Sequence, residues 1–414
     1  MGFDARELTP MLNLKIAVAA AETRSFQRAK IVMQQVGDVA VSAKTIERVV
    51  HDVGHELAQR RDADPRRHDA LAQRPEQPPE LAVVECDGGR IRAREQGHGP
   101  GVHLSGEGWR ETKNACLIRA KRQTFAEDPQ PHPPACFCDP QHVAKIAETE
   151  ALSLAAARPE DTANSPQGTP GNLPPLVAPA DWRPQRLVRT VLSSMAESKV
   201  FGQQMVREAK RRRFFEASAK AFLGDGLLWN WSIWKRHFRV FTPILDFIHP
   251  LSYLFLAAKA VHAQASDAWE QYLVWMRGCW QGEVAQVLEE LRQWQLRLGA
   301  PPADVSDSDP RQLVAKTITY LEHNASRMKY PEYRQQGLPV TTAWMESLVK
   351  EMNYRVKGTE MFWNDPDGAE AILQVRAAAL SDDQRLAKHL RNRPGYAFTR
   401  RPKPPQPPAR ITKS

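Results

Sequence analysis

A chain of 414 residues with 42% apolar residues has enough sequence for about two to four packed domains, which excludes a small stapled scaffold and a wholly disordered chain. Its formal net charge of +9 favours a polyanionic partner, because Lys and Arg that neutralise phosphates release condensed counterions; charge alone does not separate nucleic acid from an acidic membrane surface. Five scattered cysteines argue against a disulfide framework and fit a reducing cytoplasm.

The chain begins MGFDARELTPMLNLKIAVAAAE, with acids near its start and no basic stretch leading into an apolar core, so no signal peptide is expected. Residues 12–59 read as helices. In SFQRAKIVMQQVG followed by DVAVSAKTIERVVHDVGHEL, Ser42 is placed to cap the second helix and Val41 to pack on Ile46. Two short helices around a Gly-containing turn have the sequence form of a helix-turn-helix, which would turn Lys44, Thr45 and Arg48 toward DNA; a plain helical hairpin fits the same residues. Charge and proline in RDADPRRHDALAQRPEQPPE then mark a linker.

Strand signals follow over 81–85, 91–94 and from Trp109, joined by Gly-rich loops. In LAVVECDGGRIRAR, Asp87 is either a hairpin corner, the commonest use of Asp-Gly, or a carboxylate emerging at a strand edge. The loop HPPACFCDPQH groups His132, Cys136, Cys138 and His142, but Cys-x-Cys among prolines fits a zinc site poorly. Residues 156–186, rich in Pro, Ala and Gly, read as a surface excursion, and 187–219 as a helix carrying the run Lys210, Arg211, Arg212 and Arg213. That run is either a phosphate-facing footprint or a solvated face.

A short apolar strand ends at Asp225 and opens into a helix bearing Trp231 and Trp234, and VFTPILDFI reads as another buried strand. The apolar stretch from Phe241 is interrupted by Pro243, Asp246, His249 and Pro250, whereas a spanning helix needs about 20 uninterrupted apolar residues; no membrane segment is expected. Residues 250–335 are helical in pattern and rich in Trp, of which Trp269, Trp275, Trp280 and Trp294 include candidates to stack on a base as well as core residues. A last helical block runs over 342–390 and contains Glu346 in TTAWMESLVKEMN; the tail 392–414, basic and Pro-rich, reads as disordered.

The segments DGGR, GWRETKNACLIR, FLGDGLLWNW, ILDFIHPLSYLF, RMKYPEYRQQGLPVTTAWMESLVKEMNYRVKGTEMFW and GAEAILQVRAAAL resemble, in order, DDE transposases of bacterial insertion sequences, in the Kra-type branch of the Mutator-like group. The resemblance spans about residues 10–395. It implies an α/β fold: a ribonuclease-H-like core with an all-α insertion, preceded by a helical DNA-binding region. The domains it implies are 1–60 (helix-turn-helix-like), 61–80 (linker), 81–249 (first part of the core), 250–335 (insertion), 336–391 (rest of the core) and 392–414 (tail).

Carried over position by position, the family's triad falls on Asp87, Asp225 and Glu346. The resemblance implies that they hold two Mg²⁺ ions, which Mn²⁺ can replace; such ions take oxygen ligands and stabilise both attacking and leaving oxygens of a phosphoryl displacement. The group's signature of Cys or Asp, two residues and His is met by Asp246 and His249, which equally suit a strand end and the start of the helix at Pro250. Where many relatives carry Ser-Gly before the Glu, this chain has Thr341, Thr342, Ala343 and Trp344. The implied activity is cleavage at terminal inverted repeats and strand transfer into target double-stranded DNA, by a homodimer or larger oligomer in the bacterial cytoplasm. A transposase-derived DNA-binding protein without catalysis is the competing class, and a structure-selective nuclease a third.

Overall fold

The computed structural model describes residues 8–63, 77–94, 108–155, 183–358 and 361–393. Most of the expected linker, nearly all of the 156–186 excursion and the tail from residue 394 lie outside the described residues. The fold is mixed α/β, as expected, and is built on one five-stranded sheet.

The chain opens with α1 (Pro10–Glu22), α2 (Phe26–Gln35) and α3 (Ala43–Asp62). Each start carries a hydroxyl cap: Thr9 accepts from Leu12 N, Ser25 from Arg28 N and, as the sequence indicates, Ser42 from Thr45 N. Residues 36–42 separate α2 from α3, a longer connection than the three or four residues of an ordinary helix-turn-helix. Val49, Val50 and Val53 on α3 are buried, and the helix lies along α13 (Pro366–Ala379) near the other end of the chain. Gly54 permits that approach, since a Cβ there would stand 2.3 Å from the Ala371 carbonyl oxygen. Arg61, buried at the end of α3, pairs with Glu370 of α13 at 2.5 Å.

Next come β1 (Leu81–Arg92), β2 (Trp109–Lys121), α4 (Pro140–Ala155) and β3 (Gln185–Ser194). After α5 (Ser198–Arg211) stand β4 (Ala219–Gly224), α6 (Leu228–His237) and β5 (Thr242–Leu245). The sheet order is β3-β2-β1-β4-β5. β1 and β3 both run antiparallel to β2, while β1–β4 and β4–β5 are parallel. The central strands β1 and β4 are apolar runs buried on both faces, the pattern of a covered sheet.

Two expectations of local structure change. The stretch from Leu81 to Arg92 is one strand: Asp87, Gly88 and Gly89 stay in register opposite Asn114, Lys113 and Thr112, so Asp87 is not a hairpin corner. The segment 187–219, read as one helix, holds strand β3 and only then helix α5. Its strand signal was hidden because Arg189, Thr190, Ser193 and Ser194 are buried polar residues. Each has a partner: Arg189 meets Glu351, Thr190 Asp383, Ser193 Asn114 and Ser194 Glu370.

Between β5 and α12 (Ala343–Val356) the described chain is helical: α7 (Ile248–Val261), α8 (Ala265–Trp280), α9 (Val284–Leu298), α10 (Pro310–Asn324) and the short α11 (Tyr330–Gln335). Trp275 and Trp280 are core residues that donate to Glu290 and to the Gln130 carbonyl; Trp269 stacks on Tyr272, and Trp294 packs edge-on to His262. After α12 come α13 and α14 (Arg385–Arg391). Among the described residues no helix is long and apolar enough to cross a membrane.

Candidate active site at the edge of strands β1 and β4

The parallel pair β1–β4 aligns Glu85 with Leu223. Two residues further along both strands stand Asp87 and Asp225, where β4 has just ended at Gly224. Parallel neighbours are about 4.8 Å apart, so Asp87, still within β1, and Asp225, just past the end of β4, stand at the same level of neighbouring strands. The thiol of Cys86 senses both: burial first, then the charges of Asp225 and Asp87, push it well above the ordinary thiol value. Cys86 Sγ donates to Asn230 Oδ1 at 3.3 Å, and Asn230 Nδ2 donates to Asp225 Oδ1. A buried amide on α6 thus ties the two strand ends together. The Leu227 N–H adds a second bond to Asp225 Oδ1 at 2.8 Å, and Asp87 Oδ1 accepts from Gly88 N.

Glycine is required once here. Gly226 has φ +101, and a Cβ on it would come 2.8 Å from the Tyr320 ring. Tyr320, on α10, donates to the Asp225 carbonyl at 3.0 Å, so a helix between β5 and α12 braces the second aspartate from behind. Beside Asp87, by contrast, a Cβ on Gly88 would touch nothing within 4 Å, which leaves that approach open.

Glu346 arrives from the far end of the chain in the first turn of α12, where a carboxylate is favoured by the helix dipole. What fixes that turn is Asp246. Fully buried after β5, its carboxylate accepts from Thr342 N at 2.9 Å and Thr342 Oγ1 at 2.8 Å. His249 Nε2 lies 3.5 Å away. Burial raises the Asp246 pKa, an effect that His249 and the Thr342 bonds offset in part. Asp246 and His249 therefore stand at a strand end and helix start, and Thr342 supplies the hydroxyl that Asp246 holds.

Glu85 is the residue that sequence reasoning missed. It lies one step inside Asp87 on the same face of β1, is fully buried, and neither carboxyl oxygen has a hydrogen-bond partner; the nearby Met345 N–H donates to Thr342 O. Burial, then the charges of Asp246 and Glu346, hold its pKa well above the usual carboxylate range. An acid inside LAVVEC was the available signal. Because the folded value is raised, ionising Glu85 weakens the fold as pH climbs past its ordinary 4.5. Glu85→Gln should therefore raise Tm at neutral pH by roughly 1–3 °C and change it little at pH 4, as thermal scans at both values would measure. A lower Tm at neutral pH would contradict this.

The charges of Asp246 and Glu346 thus act on Glu85, and those of Asp225 and Asp87 on Cys86. Among the described residues no group of three His, Cys, Asp or Glu side chains is placed to hold a metal ion; Asp87 and Asp225 stand on neighbouring strands, and Glu346 lies within electrostatic reach of Glu85. The loop of His132, Cys136, Cys138 and His142 likewise forms no metal cluster there. Instead Phe137 is buried against Phe247 and Trp280, and its carbonyl accepts from Tyr272.

The basic groups read from the sequence divide. Lys44 and Arg48 are exposed on the first turns of α3, with Thr45 half-buried between them; Lys44 pairs with Glu47 at 2.8 Å. In the 210–213 run Lys210 is exposed, but Arg211 and Arg212 bond Glu208, Arg212 also meets Asp383, and Arg213 pairs with Glu216. The three arginines thus have carboxylate partners within the chain while remaining half-buried.

No protein-family model matches the chain, and no curated protein matches it. The Kra-type likeness rests on the quoted segments. Among solved structures the chain is similar to one described as the Drosophila P element transposase strand transfer complex, at 10% sequence identity and a TM-score of 0.33, over 90% of this chain and 92% of that one. A likeness at that level settles neither fold nor chemistry.

Proposed function

We infer that this chain is a transposase of the DDE type, cutting DNA at the terminal inverted repeats of its element and joining the ends to target DNA. The observation that supports this reading is that Asp87 and Asp225 stand at the same level of parallel β1 and β4, while Glu346 lies within electrostatic reach of Glu85 on β1. The strand order and directions are consistent with a ribonuclease-H-like core, and this reading takes the helices between β5 and α12 as its all-α insertion.

The donors are carboxylates without thiolate or imidazole, a set that suits a hard cation such as Mg²⁺ or Mn²⁺; Asp87, Asp225 and Glu346 are the residues that would hold two such ions. Bound there, the ions would supply an activated water and charge stabilisation for the leaving oxygen. The protein's own part is positional. Asn230 and the Leu227 amide orient Asp225, Tyr320 braces its backbone, and the Asp246–Thr342 clamp sets the turn that presents Glu346. The exposed cations Lys44 and Arg48 would meet the DNA ends, and holding two ends at once calls for a homodimer or larger assembly.

One observation favours the second reading, a transposase-derived DNA-binding protein without catalysis: the three carboxylates do not converge into a ligand sphere. Incubating the protein in Mg²⁺ with DNA carrying both flanks of its gene decides between them. Cuts at matched inverted repeats support the transposase, and specific binding with no cut selects the alternative.

A further inference from the structure

Beyond Asp87 the strand β1 carries Arg90, Arg92 and, just past its end, Arg94 on the face opposite Asp87. Lys357, exposed at the C-terminal end of α12, reaches the same place: loss of hydration and repulsion from Arg90 and Arg92 lower its pKa. Aromatic rings are interleaved with these cations. Arg92 lies 4.6 Å over the Trp109 ring and Lys357 5.9 Å from it, while Arg94 lies 4.1 Å over Phe362. Arg90, Arg94 and Lys357 have no carboxylate within ion-pair distance among the described residues.

This concentration of like charge has a cost to the fold. A cation at a helix C-terminus is stabilised by the dipole, which accounts for Lys357 but not for arginines two residues apart on a strand. Polyanion binding accounts for all of them, because each phosphate contact releases condensed counterions. The aromatic faces add stacking surface of the kind used for unpaired bases. The position also matters: at about 3.3 Å per strand residue, Arg90 to Arg94 stand roughly 10 to 23 Å from Asp87. That is about three to seven base steps of duplex at 3.4 Å each.

The geometry points to a DNA-binding surface formed by Arg90, Arg92, Arg94 and Lys357 with Trp109 and Phe362, which takes the phosphodiester backbone of duplex DNA flanking the carboxylates. It rests on the reading that those carboxylates act on DNA. Neither the helix-turn-helix reading nor the 210–213 run includes these residues.

The test is fluorescence anisotropy with a labelled random-sequence 30-base-pair duplex over a series of salt concentrations, beside Mg²⁺-dependent cleavage of the flanking DNA. Arg90→Gln/Arg94→Gln/Lys357→Gln should flatten the log K against log salt slope by about 2 to 3, near 0.9 for each phosphate no longer neutralised, and weaken binding tenfold or more at 0.1 M salt. Lys235→Gln, an exposed cation on α6, should leave the slope unchanged, and Arg90→Lys should retain most of it. Thermal unfolding of each variant identifies any loss that comes from misfolding, in which case Arg90→Gln alone is the variant read. An unchanged slope in a folded variant, or equal competition by poly-glutamate of matched charge, overturns the surface. Wild type that cuts while the triple variant keeps its slope sinks this surface and leaves the transposase reading standing; wild type that binds with the expected slope loss in the variant but never cuts does the reverse.

Discussion

Asp225→Asn should abolish Mg²⁺-dependent strand cleavage, with a fall of more than about a hundredfold, the scale of losing one group that stabilises developing charge. The substitution keeps an oxygen that can accept from the Leu227 amide and from Asn230, so the turn at Gly226 and the start of α6 should survive while the charge is lost. Gel assays of nicking and end cleavage measure the effect, with Tm and duplex affinity as controls. Cleavage within about threefold of wild type, where the loss should be a hundredfold, would remove Asp225 from the site.

The largest expected effect on stability lies far from the site. Glu208, nearly buried on α5, lies among Arg211, Arg212 and Arg385, and Asp383 completes the group. Burial alone would raise the Glu208 pKa, but the guanidiniums of Arg385, Arg212 and Arg211 hold it far below the carboxylate range; Asp383, subject to the same opposition, is lowered to about 2. Glu208→Gln leaves cations buried without their partner and should cost about 3–5 kcal/mol, measured by denaturant unfolding. Both folded values are depressed, so the network's contribution is complete above the ordinary 4.5 of a glutamate and is lost as pH falls toward about 2. The gap between variant and wild type should therefore be constant above about pH 5 and close below it.

Much of the architecture was legible because particular residues admit one local solution. Ser42 before an apolar-periodic run marks the start of α3, and Asp309 followed by Pro310 marks that of α10. β4 and the first half of β1 are short apolar runs followed by Asp and Gly, and those acids drew attention to Asp87 and Asp225. What was not legible depends on partners distant in sequence. β3 looked helical because its buried polar residues are matched by Glu351, Glu370 and Asp383, more than 150 positions away. In the run at 210–213 the pairing of Arg212 with Asp383 could not be read, because that partner is 171 positions away. Asp87 looked like a corner because nothing local shows that β2 continues to pair past it. Glu85, Asn230 and Thr342 acquire their roles only through the packing of α6 and α12 on β1, and Glu346 was found by resemblance, since an acid in a first helical turn is common.

The central claim is that carboxylates from β1, β4 and α12 form one cation site. Titrating the full-length protein with Mn²⁺ and following the free ion by electron paramagnetic resonance tests it most directly. The account predicts that wild type binds Mn²⁺, that Mg²⁺ competes, and that Asp87→Asn, Asp225→Asn and Glu346→Gln each weaken binding tenfold or more, at least the loss that follows mutation of a group merely orienting a ligand, without lowering Tm. Binding by the Glu346→Gln variant equal to wild type, or no saturable Mn²⁺ binding in wild type with or without DNA, would contradict it.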